Sequence, residues 1–214
     1  ITLILTTFIS CNQKPKDDTP WVNLFDGETL NGWSQLGGEA TYAVKDNAIV
    51  GTTVHNTPNS FMTTDKLYGD FILELDYKVD PSMNSGIQIR SNSLPHYMDG
   101  RVHGYQIEID PSERAWSAGI YDEARRGWLN PMTDNPDAQK AFKQNEWNHY
   151  RIEAIGDTLK TWINDVPAAY LIDDKTDKGF IALQVHSISD EQKDGTDIIW
   201  KDIKILTDSL SKYS

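Results

Sequence analysis

The sequence predicts an all-β fold, a two-sheet sandwich or jelly roll with one short helix. Short stretches that alternate apolar and polar residues recur along the chain, separated by Gly, Asp and Asn turn signals. Phe71 to Val79 alternates most clearly, since every second residue is apolar. Only Asn135 to Asn145 is typical of a helix, with Asn135 as the cap and Pro136 at the first helical position.

Residues 21–208 are predicted to form one domain, followed by a tail over residues 209–214. A chain of 214 residues fits one large all-β domain better than two. The formal net charge of −12 excludes nucleic acid and anionic lipid surfaces as partners, because no excess of basic side chains is available to neutralise phosphates. The nine tyrosines and seven tryptophans suit sugar binding, in which flat rings stack on pyranose faces.

Cys11, the one cysteine, excludes a disulfide framework and a cysteine-based metal site. It follows the apolar run Ile1 to Ile9, which is too short to span a bilayer, and precedes the polar stretch Asn12 to Pro20. Phe8-Ile9-Ser10-Cys11 resembles the end of a bacterial lipoprotein signal, in which the cysteine becomes lipidated. A buried strand with an ordinary thiol is the alternative.

The lipoprotein interpretation has consequences for the location of the protein. It assigns residues 1–20 to a signal remnant and a flexible tether, with membrane contact only through a lipid on Cys11. It also predicts a periplasmic or outer-membrane lipoprotein in the cell envelope of a Gram-negative bacterium.

Three predicted strands carry similar polar faces. Gly104 to Asp110, Gly86 to Arg90 and Phe180 to His186 each alternate between an apolar and a polar face. For one strand alone, a solvated outer face is the alternative. If the three strands lie in one sheet, their polar faces pool a cation, two carboxylates, amides and an imidazole, which is more typical of a concave ligand site. These side chains are Gln88, Arg90, Gln106, Glu108, Asp110, Gln184 and His186.

Seven short motifs follow one another between Trp21 and Leu206. They are Leu24-Phe25-Asp26-Gly27, Leu30-Asn31-Gly32-Trp33, Asn84-Ser85-Gly86-Ile87-Gln88-Ile89-Arg90, Gly104-Tyr105-Gln106-Ile107-Glu108-Ile109-Asp110, Glu146-Trp147-Asn148, Trp162-Ile163-Asn164 and Gly179-Phe180-Ile181-Ala182-Leu183-Gln184-Val185-His186. As a set they resemble the 3-keto-disaccharide (3-keto-glycoside) hydrolase family. The resemblance implies a concanavalin A-like, two-sheet jelly roll whose concave sheet binds sugar.

The resemblance also implies a reaction, the cleavage of 3-keto-disaccharides or 3-keto-glucosides. A ketone at C3 acidifies the C2 proton, so a base can form an enolate that expels the C1 oxygen, and water then adds to the enone. This chemistry needs a base, a group that holds the enolate oxygen, and an acid for the leaving group. A sugar 3-oxidoreductase is implied upstream, since the substrate must first be oxidised.

The candidate catalytic residues are Glu108, Asp110, His186 and Arg90. Either carboxylate or the imidazole could be base or acid, and Arg90 suits the enolate oxygen because its guanidinium is permanently charged. The alternatives are a structural role for His186 and an internal ion pair between Arg90 and Glu108 or Asp110. The candidate substrate-binding side chains are Gln88, Gln106, Gln184, His103, Tyr121 and Trp128.

No cofactor is required with certainty, and other functions stay open. Glu108, Asp110 and His186 are divalent-metal ligands by type, and such an ion would be an alternative stabiliser of the enolate. Glu108 to Glu113 loosely resembles the acidic strand motif of laminarinase-like glycosidases, although Pro111 is expected to bend Glu113 off the shared face. A non-catalytic glycan-binding lipoprotein would need no base.

Overall fold

The computed structural model describes residues 20–214 as two antiparallel β-sheets and one α-helix. The strands of the first half are β1 (Val22–Asn23), β2 (Trp33–Gly37), β3 (Thr41–Lys45), β4 (Ala48–Thr52), β5 (Ser60–Thr64), β6 (Phe71–Val79), β7 (Ser85–Asn92) and β8 (His103–Ile109). Those of the second half are β9 (Ile120–Glu123), β10 (Gly127–Asn130), β11 (Asn148–Ile155), β12 (Thr158–Ile163), β13 (Val166–Ile172), β14 (Phe180–Val185) and β15 (Asp197–Leu206), with the helix α1 (Pro136–Ala141) between β10 and β11.

The eight-stranded sheet has the order β13-β12-β11-β6-β15-β4-β3, with β1 also paired to β15. The seven-stranded sheet has the order β10-β9-β8-β7-β14-β5-β2. The prediction of an all-β, two-sheet sandwich with one short helix is therefore confirmed.

The hydrophobic core fills the space between the two sheets. Alternate residues of β6 supply it from one side, and alternate residues of β8 and β14 supply it from the other, as the period of two requires. The side chains of Leu73, Leu75, Ile107, Ile109 and Leu183 are completely buried there. Because the apolar faces of β8 and β14 point into this core, their polar faces point to the other side of the seven-stranded sheet.

Some elements differ from the sequence-based expectation. The strands β2 and β13 do not follow the alternation of apolar and polar residues; both are edge strands with exposed positions, and β13 contains Pro167. The helix begins where predicted, since Asn135 Oδ1 accepts a hydrogen bond from the Ala138 N–H at 3.1 Å. It ends earlier, at Ala141, because Phe142 leaves the helical conformation and packs against the core.

The sequence predicts a lipoprotein signal remnant, a tether and a lipidated Cys11 within residues 1–20. Of these residues, only Pro20 belongs to the described part of the chain. From residue 20 onward, no helix has the length and apolar character needed to cross a membrane. In the tail, Leu210–Lys212 forms a single 3₁₀ turn.

Candidate functional site

The three strands with polar faces are neighbours, in the order β8-β7-β14, as predicted. One row of paired residues crosses them: Glu108 pairs with Gly86, Gly86 with Gln184, and Gln184 with Phe61 of β5. Neighbouring strands lie about 4.8 Å apart, so the row measures about 14 Å between the Cα atoms of Glu108 and Phe61. The two ends of the row line the same cavity.

The cavity has a volume of about 940 Å³ and two distinct ends. We call one the carboxylate end; it is lined by Asn84, Gln106, Glu108, Arg114, Tyr121 and Trp128. The other is the Phe61 end, lined by Gly37, Pro58, Asn59, Phe61, His186 and Ser187. A rim formed by Met98 to Val102 also lines the cavity.

Glu108 is the buried acid of the carboxylate end, with 4% of its surface exposed. Its Oε1 accepts a hydrogen bond from Asn84 Nδ2 at 2.7 Å, and its Oε2 accepts one from Gln106 Nε2 at 2.9 Å. Burial raises the pKa of Glu108 to about 7, although the hydrogen bonds from Asn84 and Gln106 act in the opposite direction. A carboxylate with this pKa can accept a proton efficiently near neutral pH.

A chain of hydrogen bonds orients the amide that holds Glu108. Ser91 Oγ donates to Gln88 Oε1 at 2.7 Å, and Gln88 Nε2 donates to Gln106 Oε1 at 2.6 Å, which leaves Gln106 Nε2 for Glu108. Gly86 makes room for this arrangement, because a Cβ atom there would lie 2.6 Å from Cγ and Cδ of Gln106. Gln88 therefore supports Gln106 and is not itself a lining residue.

Arg114 supplies a cation that the sequence-based prediction missed. Its Nη2 lies 3.5 Å from Glu108 Oε1, and its Nε donates to Asp110 Oδ2 at 2.7 Å. The guanidinium lies 4.6 Å from the ring centroid of Trp116 and 5.0 Å from that of Trp128. The one available sequence signal was its spacing of four residues from Asp110.

Asp110 does not reach the cavity. Its carboxylate is turned into the loop that follows β8, where it accepts hydrogen bonds from Ser112, Arg114 and the Trp116 N–H. Burial raises the pKa of Asp110, but the hydrogen bonds from Ser112 and Arg114 outweigh it and hold the pKa below its usual value. The prediction that Asp110 shares a polar face with Glu108 is wrong, because strand β8 ends at Ile109.

The predicted metal set of Glu108, Asp110 and His186 is not brought together. Among residues 20–214, no group of three or more His, Cys, Asp or Glu side chains has the arrangement needed to hold a metal ion. Asp110 is already saturated by its own loop. The residues present therefore do not fit a divalent ion at this position.

Arg90 is also placed elsewhere. It has a left-handed backbone (φ 46°), and the pairing of β7 with both neighbours shifts register beside it. This bulge turns the side chain away from the polar face, where it is 1% exposed and donates to the Gly69 carbonyl, the Gly156 carbonyl and Asp70. Arg90 links the two sheets and does not line the cavity.

The remaining candidate residues divide into two groups. His186, Tyr121 and Trp128 line the cavity. The imidazole Nδ1 of His186 is hydrogen-bonded to the Ser187 carbonyl at 2.6 Å, and its Nε2 has no hydrogen-bond partner in the part of the chain that the structure describes. His103 packs on Tyr97 and is hydrogen-bonded to the Arg101 carbonyl, outside the lining. Gln184 is completely buried below the surface of the cavity, and neither of its amide atoms has a hydrogen-bond partner among the described residues.

A two-sheet jelly roll whose cavity combines carboxylates, amides and aromatic rings defines a carbohydrate-active β-protein. The family model of the 3-keto-alpha-glucoside-1,2-lyase-like domain matches residues 20–206. The chain belongs to this family, and the resemblance inferred from its motifs is confirmed. No curated protein matches the chain.

Similar solved structures share the fold. A protein of Parabacteroides distasonis ATCC 8503, provisionally assigned as a glycosyl hydrolase, superposes with a TM-score of 0.62 at 17% identity, over 87% of this chain and 93% of that one. A Bacillus subtilis protein of unknown function with a galectin-like fold gives 0.61 at 12% identity, over 83% and 90%. The carbohydrate-binding module CBM66 from Bacillus subtilis gives 0.57 at 16% identity, over 82% and 96%.

Proposed function

We propose that the protein cleaves 3-keto-glycosides by elimination, with Glu108 as the base that removes the C2 proton. The observation that carries the proposal is a buried carboxylate, with its pKa raised to about 7, at the wall of a large cavity and beside a guanidinium. The family match supports the same chemistry, since its description names a lyase that acts between C1 and C2 of a 3-keto-glucoside.

Each step uses groups that line the cavity. Glu108 takes the C2 proton, and the C–H electron pair forms the C2=C3 double bond of an enolate, whose oxygen Arg114 holds. The enolate then re-forms the C3 ketone and a C1=C2 double bond forms. The C1–O bond breaks as the leaving oxygen takes a proton from His186, the proposed acid. Water adds across C1=C2 to give the free 3-keto sugar.

An ordinary glycosidase mechanism fits the geometry less well. Retaining glycosidases need two carboxyl groups about 5 Å apart. Glu113 is exposed and does not line the cavity. Glu123 does line it but pairs with Arg101, and the strand register places its Cα about 14 Å from that of Glu108.

The proposal extends to the setting of the enzyme. Lipidation of Cys11 would hold the domain in the cell envelope, and an oxidoreductase that converts the C3 hydroxyl to a ketone would supply its substrate. The mass of the protein extracted from membranes tests the first point. A lipid-modified N-terminal Cys11 is expected, and an unmodified thiol would contradict it.

Matched glucosides, plain and 3-oxidised, test the activity itself. The wild-type chain is expected to release the aglycone from the 3-oxidised glucoside only, and Glu108→Gln is expected to abolish this release while circular dichroism shows an intact fold. Cleavage of the plain glucoside alone would favour a glycosidase. Binding without turnover would leave a sugar-binding protein.

The role of His186 as the acid has its own test. A nitrophenyl leaving group needs little protonation, whereas a methoxide needs protonation as the bond breaks. His186→Gln should therefore slow release of methanol about a hundredfold and release of nitrophenol only slightly. Equal losses with both leaving groups would assign His186 to binding.

A further inference from the structure

We propose that the buried side chains of Ser91, Gln88 and Gln106 reverse the direction of their hydrogen bonds when Glu108 takes up a proton. We call these three side chains the amide chain; Ser91 is the positioning residue that allows the reversal. The inference rests on the proposed function, because that function makes Glu108 a base that must exist in both charge states. It adds a role for Ser91 and Gln88, neither of which lines the cavity.

The amide chain is sealed from solvent and fits an ionised Glu108. Gln88 and Ser91 are completely buried, and Gln106 is 2% exposed. Ser91 Oγ donates to Gln88, and Gln88 donates to Gln106. An N–H of Gln106 is thereby turned towards Glu108 Oε2 at 2.9 Å, while Asn84 donates to Oε1. Both carboxyl oxygens therefore act as acceptors, as suits the ionised form.

A proton on Glu108 belongs on Oε2. The guanidinium of Arg114 lies 3.5 Å from Oε1 and favours negative charge there, so Oε1 remains the acceptor. Once Oε2 carries the proton, its hydroxyl and the N–H of Gln106 are two donors that face each other. The other titratable groups near this carboxyl donate to neither of its oxygens among the described residues; they are Asp110, Tyr121 and Tyr150.

Reversal of the amide chain removes this conflict. A half-turn of the Gln106 amide presents its carbonyl oxygen to the protonated Glu108 and its N–H to Gln88. A half-turn of Gln88 then presents its own N–H to Ser91, whose oxygen accepts it. Because an amide oxygen and an amide nitrogen occupy similar volumes, the packing of these buried side chains is kept.

Ser91 is an end to the chain that fits both directions. A hydroxyl donates and accepts, so Ser91 accepts from Gln88 when its own proton finds another acceptor. Two backbone carbonyls are in place for that proton, since Ser91 Oγ lies 3.1 Å from the Ile89 oxygen and 3.4 Å from the Tyr105 oxygen. An apolar residue at position 91 would satisfy neither direction.

The local backbone is built around this hydroxyl. In a regular strand Arg90 would share a face with Gln88, but the bulge at Arg90 places Ser91 there instead. On the neighbouring strand Gly104 has a φ of 148°, and a Cβ atom there would collide with Ser91 Oγ. Two backbone irregularities thus meet at Ser91, below the carboxylate end of the cavity.

Nuclear magnetic resonance of the protein without substrate tests the reversal, because Gln88 reaches Glu108 only through Gln106. The carbon-13 signal of the Glu108 carboxyl reports its charge between about pH 5 and about pH 9, on both sides of its pKa of about 7. A nuclear Overhauser cross-peak between the Gln88 amide protons and the Ser91 β-protons reports the direction of the chain. We expect this cross-peak at low pH and its loss at high pH, with the same midpoint as the carboxyl.

Two controls isolate the amide chain. Glu108→Gln cannot ionise, so its Gln88 cross-peak should not depend on pH. Gln184 pairs with Gly86 on the neighbouring strand, and its buried amide has no hydrogen-bond partner within residues 20–214, so its signals should not follow the titration. An equal response of Gln184 would mean a general rearrangement and would overturn the proposal.

Three further results would overturn the reversal. The first is a Gln88 cross-peak that stays constant while Glu108 titrates. The second is a response confined to Asn84, which would place the proton on Oε1. The third is a Glu108 carboxyl that does not titrate in this pH range.

Kinetics supply a second readout. Gln88→Met keeps the volume but neither donates nor accepts at the amide positions, so kcat for a methyl 3-keto-glucoside should fall about tenfold, as for the loss of one hydrogen bond. KM should stay within about twofold because Gln88 does not line the cavity. Ser91→Ala should behave in the same way, with both variants measured at a temperature where they are folded. A rise of KM with kcat unchanged would overturn the positioning role.

Failure of this inference and failure of the proposed function are distinguishable. A wild-type chain that shows the reversal but cleaves no 3-keto-glucoside would contradict the function alone. A chain that cleaves the 3-keto-glucoside with a Gln88 amide that never turns would contradict the reversal alone.

Discussion

Glu108 is held in a position where burial raises its pKa, and the same burial makes its charged form unfavourable in the folded protein. The ordinary pKa of 4.5 applies to the unfolded chain, whereas the folded protein holds the proton up to about pH 7. The stabilising effect of this proton is fully present below pH 4.5 and is lost as the pH rises through about 7. A shift of this size corresponds to about 3 kcal/mol.

We therefore predict that Glu108→Gln removes a pH dependence of stability. The free energy of unfolding of the wild-type protein should fall, relative to that of the variant, by about 2–3 kcal/mol between pH 4.5 and pH 8. Urea unfolding of both proteins at several pH values measures the difference. Parallel curves for the two proteins would show that Glu108 is not a buried acid with a raised pKa.

The charge of Arg114 should affect the pH dependence of kcat/KM. Because this guanidinium lowers the pKa of Glu108, Arg114→Ala should move the rise of kcat/KM from near pH 7 to higher pH. Arg114→Lys keeps the charge but loses the planar fork, so kcat should fall about tenfold or more with the inflection in place. If kcat/KM of Arg114→Ala depended on pH as that of the wild type does, Arg114 would have no electrostatic effect on Glu108.

At the level of the strands, alternation predicted well where the strands are regular. It identified β7, β8 and β14 as strands with polar faces, and it placed Gln106 and Glu108 on the same face. It failed at Arg90 because a bulge changes the face of a side chain without leaving a mark in the sequence. Arg114 and Asn59 come from loops, whose course is decided by contacts distant in sequence.

A substitution at Gly86 tests whether the hydrogen-bonded amides of Gln88 and Gln106 are needed for activity. In Gly86→Ala the new Cβ would collide with Gln106 and displace the amide from Glu108, so kcat/KM should fall at least tenfold, measured at a temperature where the variant is folded. Gly69→Ala is the matched control, since a Cβ there makes only an ordinary contact of 3.5 Å. Equal activity of the two variants would argue against a role for Gln106.

Arg90 tests whether a residue outside the cavity affects stability but not activity. Arg90→Ala leaves the Gly69 and Gly156 carbonyls without the guanidinium that donates to them and removes the ion pair with Asp70, which keeps only the Gly156 N–H as a donor. The free energy of unfolding should therefore fall by about 2–4 kcal/mol. At a temperature where the variant is folded, kcat should match that of the wild type. A variant that is stable but inactive would return Arg90 to the catalytic machinery.

At the level of the whole molecule, the fold separates two tasks between the two faces of one sheet. The inner face of the seven-stranded sheet packs on the core, and its outer face, with loops on both sides, carries the cavity. The residues that line it come from segments between Gly37 and Ser187, which only the two-sheet topology brings together. The fold class could be predicted from the sequence. The set of residues that line the cavity could not, because it depends on the course of the loops.

The most direct test of C2 proton abstraction follows a hydrogen label. A 3-keto-glucoside that carries deuterium at C2 is incubated with the protein in ordinary water, and the released sugar is examined by mass spectrometry. Preformed C2-deuterated 3-keto-glucose is incubated in parallel to measure exchange after release. We expect cleavage by the wild-type chain to remove the deuterium, and we expect Glu108→Gln to release no sugar. Release of a sugar that keeps its deuterium would contradict C2 proton abstraction, since direct hydrolysis at C1 leaves the C2 hydrogen in place.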